Sequence, residues 1–213
     1  MFLSRIKLDT SKRKTMRALA SPNLFHGAVA SGQKDVRDRV LWRIDPLGGK
    51  YYLLVLSKRE MAFEGIVDQF GYEEAEPAFE TKDYAPLLSR IRNGSEWRFR
   101  LVANPTHSRP KEGGGRGKVY AHMTEIHQRR WMMEQAEKNG FSLSENQFGV
   151  YGKNWYQFRK KEGSGIKVSM LAVAYEGLLQ ITDSELFKNA LCCGIGREKA
   201  YGMGLLTVVS VKS

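Results

Sequence analysis

The sequence predicts an α+β fold on three observations: short segments where apolar and polar residues alternate, helical segments with apolar residues three or four apart, and the order in which they occur. With 213 residues and 42% hydrophobic content, the chain can bury a substantial core and divide into one or two domains.

Taken in order, Phe2, Ile6 and Leu8 alternate with Leu3, Arg5 and Lys7, which predicts an opening strand with one largely apolar face. The basic run Lys12 to Arg17 reads as a loop. Ser21-Pro22 reads as an N-cap followed by proline at the first helical position, starting a helix through Leu24, Phe25, Ala28 and Val29 that stops near Gly32. Val40 to Ile44 and Tyr51 to Leu56 read as strands joined by a turn at Pro46 to Gly49. Two short helical patterns are expected between Met61 and Arg92. Trp97, Phe99 and Leu101 then alternate with Arg98 and Arg100, a strand with one basic face. Strand, helix, two strands, helix, strand is the ferredoxin-like order.

A similar order returns in the second half. Val119 to Met123 is a candidate strand, and Glu125 to Asn139 is a helix closed by Gly140. Trp155 to Arg159 and Ile166 to Tyr175 form a hairpin around Lys161 to Gly165. Asp183 to Leu191 reads as a helix capped by Thr182 or Asp183, ahead of a glycine loop and a final strand. The segment Thr106 to Lys118, with Gly113-Gly114-Gly115 among basic residues, has little apolar surface to offset its ordering entropy and is expected to be mobile without a ligand.

Lys and Arg number 34 against 23 Asp and Glu, a net charge of +11. That balance implies an anionic partner or a basic solvated surface, and clustering at Lys12 to Arg17, Arg90 to Lys118, Arg129-Arg130 and Arg159 to Lys161 favours a binding surface. No apolar run approaches a membrane span, and Arg5 and Lys7 interrupt any secretory signal, so a cytoplasmic protein is expected. Cys192 and Cys193 are adjacent, a poor arrangement for a disulfide or a metal site.

The most specific stretch is Gly194-Ile195-Gly196-Arg197-Glu198-Lys199-Ala200-Tyr201-Gly202-Met203-Gly204. Glycines at this spacing let backbone N–H groups converge on an anion, with Arg197 and Lys199 supplying charge; a tight turn before a terminal strand has the same composition. A dinucleotide fingerprint and a P-loop both lead into a helix, whereas Leu205 to Val211 is strand-like. The ending Gly-Ile-Gly-x-x-Lys-Ala-x-Gly-x-Gly-Leu-Leu resembles the glycine-rich C-terminal loop of the repeat-associated RNA-binding proteins of CRISPR systems, above all the CasE family. The opening Met1 to Ile6, the Trp97 to Pro105 segment and Ala174 to Leu179 fit the same family, in the expected order along the whole chain.

The resemblance implies two ferredoxin-like βαββαβ domains side by side, 1–97 and 98–213. It implies an endoribonuclease of the type I-E Cascade complex whose partners are the CRISPR repeat RNA stem-loop and the other Cascade subunits, with no small-molecule cofactor, metal or membrane. His26 falls where the family carries its catalytic histidine. On sequence alone, a lone histidine in a helix is more often structural. Relatives often place tyrosine three residues earlier, where this chain has Asn23, which cannot usefully transfer a proton. A repeat-RNA-binding subunit with weak or no cleavage is therefore the alternative reading.

In the implied reaction the RNA supplies its own nucleophile. The 2′-hydroxyl attacks the adjacent phosphate, leaving a 2′,3′-cyclic phosphate, and the protein contributes alignment, proton transfer and positive charge. His26 suits the proton transfer, because an imidazole titrates near neutral pH. Lys160 matches a basic run that reaches the cleavage region in relatives, and the resemblance implies a catalytic role for it in stabilising the transition-state charge. Arg159, Lys161 and Lys167 on the basic hairpin are expected to contact RNA, as are Gly194, Gly196, Arg197, Lys199, Gly202 and Gly204 in the loop. A-form RNA hides its base edges in a narrow groove, so phosphates and shape dominate recognition of a stem. Trp155 and Tyr156 are candidates for base stacking or for core packing. His107, His122 and His127 lack the i, i+4 spacing of a metal-binding helix face, and Glu73, Glu74 and Glu76 have no partnering Asp or His nearby.

Overall fold

The structure is a computed structural model that describes residues 1–33, 38–72, 74, 77–110, 117–159 and 167–211. Its elements are β1 (Phe2–Leu8), α1 (Arg13–Ala20), α2 (Asn23–Ser31), β2 (Leu41–Leu47), β3 (Lys50–Ser57), α3 (Glu64–Phe70), β4 (Phe79–Asp83) and α4 (Ala85–Leu88). After these come β5 (Glu96–Ala103), β6 (Thr106–Arg109), β7 (Lys118–Ala121), α5 (Glu125–Lys138), β8 (Phe141–Ser142), β9 (Phe148–Arg159), β10 (Lys167–Ile181), α6 (Ser184–Cys193) and β11 (Leu206–Ser210). No described helix is long and apolar enough to cross a membrane.

The first sheet has the order β2-β3-β1-β4. In the second, β11, β5 and β10 lie side by side, with β9 and β8 paired to β10. All described pairs are antiparallel. Numbered within each half, both sheets run 4-1-3-2, so the fold is two ferredoxin-like domains. Gly48 and Gly49, both at positive φ, make the two-residue hairpin joining β2 to β3.

The first sheet is buried on both faces. Ile6, Leu53, Val55 and Trp42 face Phe25, Val29, Ile66 and Phe70 from its own helices. Leu41 and Leu56 join the core of the second sheet, with Trp97, Phe99, Val173, Phe187 and Leu206. A third, smaller cluster of Met170, Ala172 and Met203, flanked by Tyr156, Phe158, Val168 and Tyr201, ties the loop-side half of the β9–β10 hairpin to the glycine loop.

Charge also joins the two sheets. Arg43 on β2 is only 1% exposed and donates to the carbonyls of Arg100 (2.9 Å) and Leu205 (2.6 Å) and to Thr207 Oγ1 (2.8 Å). Asp45 accepts from its guanidinium at 2.7 and 2.6 Å, the bidentate geometry that arginine favours. Arg100 then pairs with Asp45 and with Glu176, each at 3.3 Å.

Several elements differ from the sequence reading. The basic run expected as a loop is the helix α1. Thr15 and Ala18 are buried beneath it, and Thr15 Oγ1 donates to the Phe70 carbonyl at 3.1 Å. The fourth strand of the first sheet is β4, whose sequence FETKD shows no apolar alternation; pairing along β1 defines it. The Trp97 strand, β5, instead sits between β10 and β11, because Trp97, Phe99 and Leu101 bury into the second core. The Val119 segment forms only a two-stranded ribbon with β6, so the ends of the segment expected to be mobile are paired, while residues 111–116 lie outside the described residues.

A division after residue 97 would cut β5. We propose that the first domain closes after β4, since Tyr84 and Ile91 already belong to the second core.

Candidate active site

α2 crosses from β1 towards β2 and buries Phe25, Ala28 and Val29, which leaves His26 on the opposite, exposed side. Gly27, also exposed, adds no bulk beside it; a Cβ built there would meet nothing within 4 Å. Asn23, one turn earlier, accepts a hydrogen bond from Ser21 Oγ at 2.7 Å through its side-chain oxygen.

From the second domain, α6 ends at Cys193, capped at its start by Asp183, which accepts from the N–H groups of Glu185 (2.9 Å) and Leu186 (3.0 Å). The chain then doubles back through the glycine loop and a 3₁₀ turn, Lys199–Tyr201, before β11. The loop is pinned at its base, where Ile195 N–H donates to the Gly204 carbonyl and Gly204 N–H to the Val102 carbonyl. Gly202, at φ +80, lies flat on the ring of Trp42; a Cβ there would come within 2.6 Å of it. Glycine is thus required for both its backbone angle and its size at the point where the loop touches the first sheet. Gly194 packs in the same way against Leu41, and Gly204 against the Ile195 carbonyl and the Lys199 stem.

The two parts meet in a cavity of about 720 Å³ lined by His26, Val29, Arg39, Trp42 and the residues Gly196 to Ala200. Within the described chain, the N–H groups of Gly196, Arg197 and Glu198 make no hydrogen bond. Successive free N–H groups beside cations form an anion-binding concavity. Burial, with Arg39 nearby, lowers the Lys199 ammonium below its ordinary value, while Cys193 acts weakly the other way.

A ring chain links this site to the basic hairpin. The Tyr201 ring is edge-on to His26 at 5.9 Å between centroids and edge-on to Phe158 at 5.1 Å. Phe158 precedes Arg159, and Arg159 stands directly opposite Lys167 in the last described pair of the hairpin. Like charges directly opposed across strands repel, an arrangement that a bound anion relieves.

A family model described as CRISPR associated protein matches residues 1–209. The chain belongs to that family. It is 32% identical to the CRISPR-associated endoribonuclease Cse3 of Thermus thermophilus, an alignment covering 98% of this chain and 99% of that protein. Among solved structures, Cse3 bound to a 19 nt RNA is similar at TM-score 0.82 and 27% identity, over 98% of this chain and all of that one. Thermus thermophilus Cse3 bound to an RNA representing a pre-cleavage complex gives TM-score 0.82 and 26% identity, over 98% of each chain.

Of the residues that the CRISPR-family resemblance singles out, the structure brings His26, Gly196, Arg197 and Lys199 onto one cavity. Arg159 and Lys167 form the last described pair at the loop end of the hairpin, two ring contacts away from His26. Gly194, Gly202 and Gly204 shape the loop from its protein-facing side. Lys160 and Lys161 lie outside the described residues. Trp155 is 45% exposed on β9, whereas Tyr156 packs into the small cluster under the loop.

The three other histidines stack. The ring centroids of His107 and His122 are 4.7 Å apart, and those of His122 and His127 5.7 Å at an interplanar angle of 10°. Among the described residues, no three His, Cys, Asp or Glu side chains are arranged to hold a metal ion. Sequence reasoning missed Arg39, Trp42, Phe158 and Tyr201 as members of the site. Tyr201 had the one usable signal, its place inside the glycine motif.

Proposed function

We propose that this chain is a metal-independent endoribonuclease that binds the stem-loop of a CRISPR repeat transcript and cuts at the 3′ base of the stem. It then holds the product as mature crRNA, with the other Cascade subunits, in the cytoplasm. The observation that carries this reading is that His26 of the first domain and Gly196 to Lys199 of the second, with Arg197 and Lys199 as cations and the N–H groups of Gly196, Arg197 and Glu198 unpaired within the described chain, line one cavity.

The RNA brings the nucleophile, so the protein needs to place a phosphate and move protons. The concavity and the charges of Arg197 and Lys199 hold the phosphate and offset the negative charge that grows on it as the 2′-oxygen attacks. His26 stands at the same cavity to take or give a proton. Arg159, Lys161 and Lys167 grip the stem through its phosphates, as A-form geometry favours, and Lys160 adds charge to offset that of the transition state.

Asn23 favours a second reading, a repeat-RNA-binding subunit with weak or no cleavage, because its carboxamide cannot transfer a proton and is tied to Ser21. Incubation of the purified protein with a labelled repeat hairpin in EDTA separates the two. Cleavage to a 2′,3′-cyclic phosphate is expected, and His26→Ala is expected to slow single-turnover cleavage by roughly 10² to 10⁴ while keeping hairpin affinity. A strict magnesium requirement would remove the metal-free mechanism. Tight binding without cutting would establish the binding subunit instead.

A further inference from the structure

We infer that Tyr201 is a catalytic residue: its hydroxyl donates a hydrogen bond to a non-bridging oxygen of the scissile phosphate beside His26. The inference rests on the cleavage reaction proposed above and assigns it a group that the first domain does not supply.

Geometry sets Tyr201 apart. It ends a 3₁₀ turn held between two left-handed residues, Glu198 at φ 59 and Gly202 at φ 80, and a non-glycine residue adopts such an angle only when its surroundings enforce it. The turn is packed on α2 and β2 by the Gly202–Trp42 contact, so the ring has little freedom to leave His26. Its edge meets the imidazole at 5.9 Å and its other side meets Phe158 at 5.1 Å. Tyr201 therefore stands between the histidine and the loop end of the hairpin that carries Arg159.

Packing alone does not call for a phenol. Phenylalanine would make both ring contacts, and no hydrogen bond of the Tyr201 hydroxyl occurs within the described chain. The buried tyrosine Tyr175 differs, since its hydroxyl donates to the Gln128 carbonyl. A half-buried phenol whose hydroxyl has no partner among the described residues, its ring packed on His26 and lining the neighbouring cavity that shares Trp42 with the His26 cavity, is free to meet a ligand. Burial and then Glu198 raise its pKa above the ordinary tyrosine value, which keeps it a donor at neutral pH. The charged groups around it are His26 from α2 and Glu198 and Lys199 from its own turn, with Arg159 next to Phe158.

In the step, the bond from the 2′-oxygen to phosphorus forms and the bond from phosphorus to the 5′-oxygen breaks. The 2′-hydroxyl proton leaves to a base and the 5′-oxygen departs with a proton. Tyr201 neither gains nor loses one. It donates more strongly as charge grows on the phosphoryl oxygens, the condition under which a hydrogen bond speeds a reaction.

The test compares Tyr201→Phe and Tyr201→Leu with the wild type on a labelled repeat hairpin in EDTA, with affinity measured on a hairpin carrying a 2′-deoxy nucleotide at the cut. Tyr201→Phe keeps the ring and is expected to slow single-turnover cleavage by about 10²-fold across the whole pH range, the effect of removing one donor to a developing oxyanion. Its affinity and melting temperature are expected to match the wild type. A Tyr201→Phe protein that cuts at the wild-type rate while Tyr201→Leu is impaired would reduce Tyr201 to a packing residue and overturn the inference. A shift in the pH profile of Tyr201→Phe, in place of a uniform drop, would overturn the hydrogen-bond role in favour of proton transfer. A wild-type protein that never cuts would remove the reaction itself and this assignment with it.

Discussion

The two domains share one strand order and use it differently. In the first, the crossover helix α2 after the opening strand presents His26 outward over a sheet buried on both faces. In the second, the corresponding helix α5 buries Trp131 and Met132, and the residues that share a cavity with His26 lie on the other crossover, between α6 and β11. One domain offers an exposed imidazole on a helix, and the other offers N–H groups and cations on a loop. Neither is a site alone. The ferredoxin-like topology only supplies places, and the seam between two copies decides which places face each other.

The strongest way to break this arrangement is at Arg43. Arg43→Ala leaves Asp45 without its bidentate partner and leaves the Leu205 and Arg100 carbonyls short of a donor. Removing one member of a buried ion pair costs about 3–5 kcal/mol, so a large fall in the midpoint of urea unfolding is expected. If the two domains were held by apolar contact alone, the midpoint would hardly move.

A pair of glycines sharpens the comparison further. Gly202→Val forces a branched side chain against the Trp42 ring at an angle that suits only glycine. Overpacking of this kind costs about 1–3 kcal/mol, and the expected result is a destabilised protein with impaired hairpin cleavage. Unchanged melting and cleavage would mean that the loop does not need its seat on the first domain. Gly27 is the opposite case, since it lies mid-helix in open space. Gly27→Ala is expected to stabilise by about 0.4–1 kcal/mol, seen as a small rise in melting temperature, because it narrows the unfolded chain's freedom without strain. A fall in melting temperature would show that α2 is constrained in a way its surroundings do not reveal.

Much of this was legible in the residues. α2, the β2–β3 hairpin, α5 and α6 announce themselves through apolar period, turn glycines and, for α6, the Asp183 cap, whereas the cap expected at Ser21 does not form: Pro22 holds the N-cap position of α2 and Ser21 donates to Asn23 instead. β4 and α1 do not announce themselves, since FETKD becomes a strand only by lying along β1, and α1 is a helix with little more than Thr15 and Ala18 facing inward. The glycine motif was legible in its own spacing and charge, whereas His26 was found through family likeness, since a lone histidine would not have been chosen without it. Arg43 left one overlooked signal, a cation on the same face of a strand as Leu41. Tyr201 could not be chosen because its meaning depends on a neighbour far away in sequence. Such pairings arise only after both domains have folded.

The clamp at Arg43 has a consequence for how the protein is made. Arg43 leaves the ribosome 162 positions ahead of Leu205, the residue whose carbonyl it will meet. At about 5–20 residues per second, roughly ten to thirty seconds pass in which the first half must keep that cation hydrated and its inner face open. His26 spends that interval without the loop it faces in the finished fold. Only when β11 has emerged does the seam close and seat the loop opposite the histidine, so a half-made chain carries the imidazole but no place to hold a phosphate.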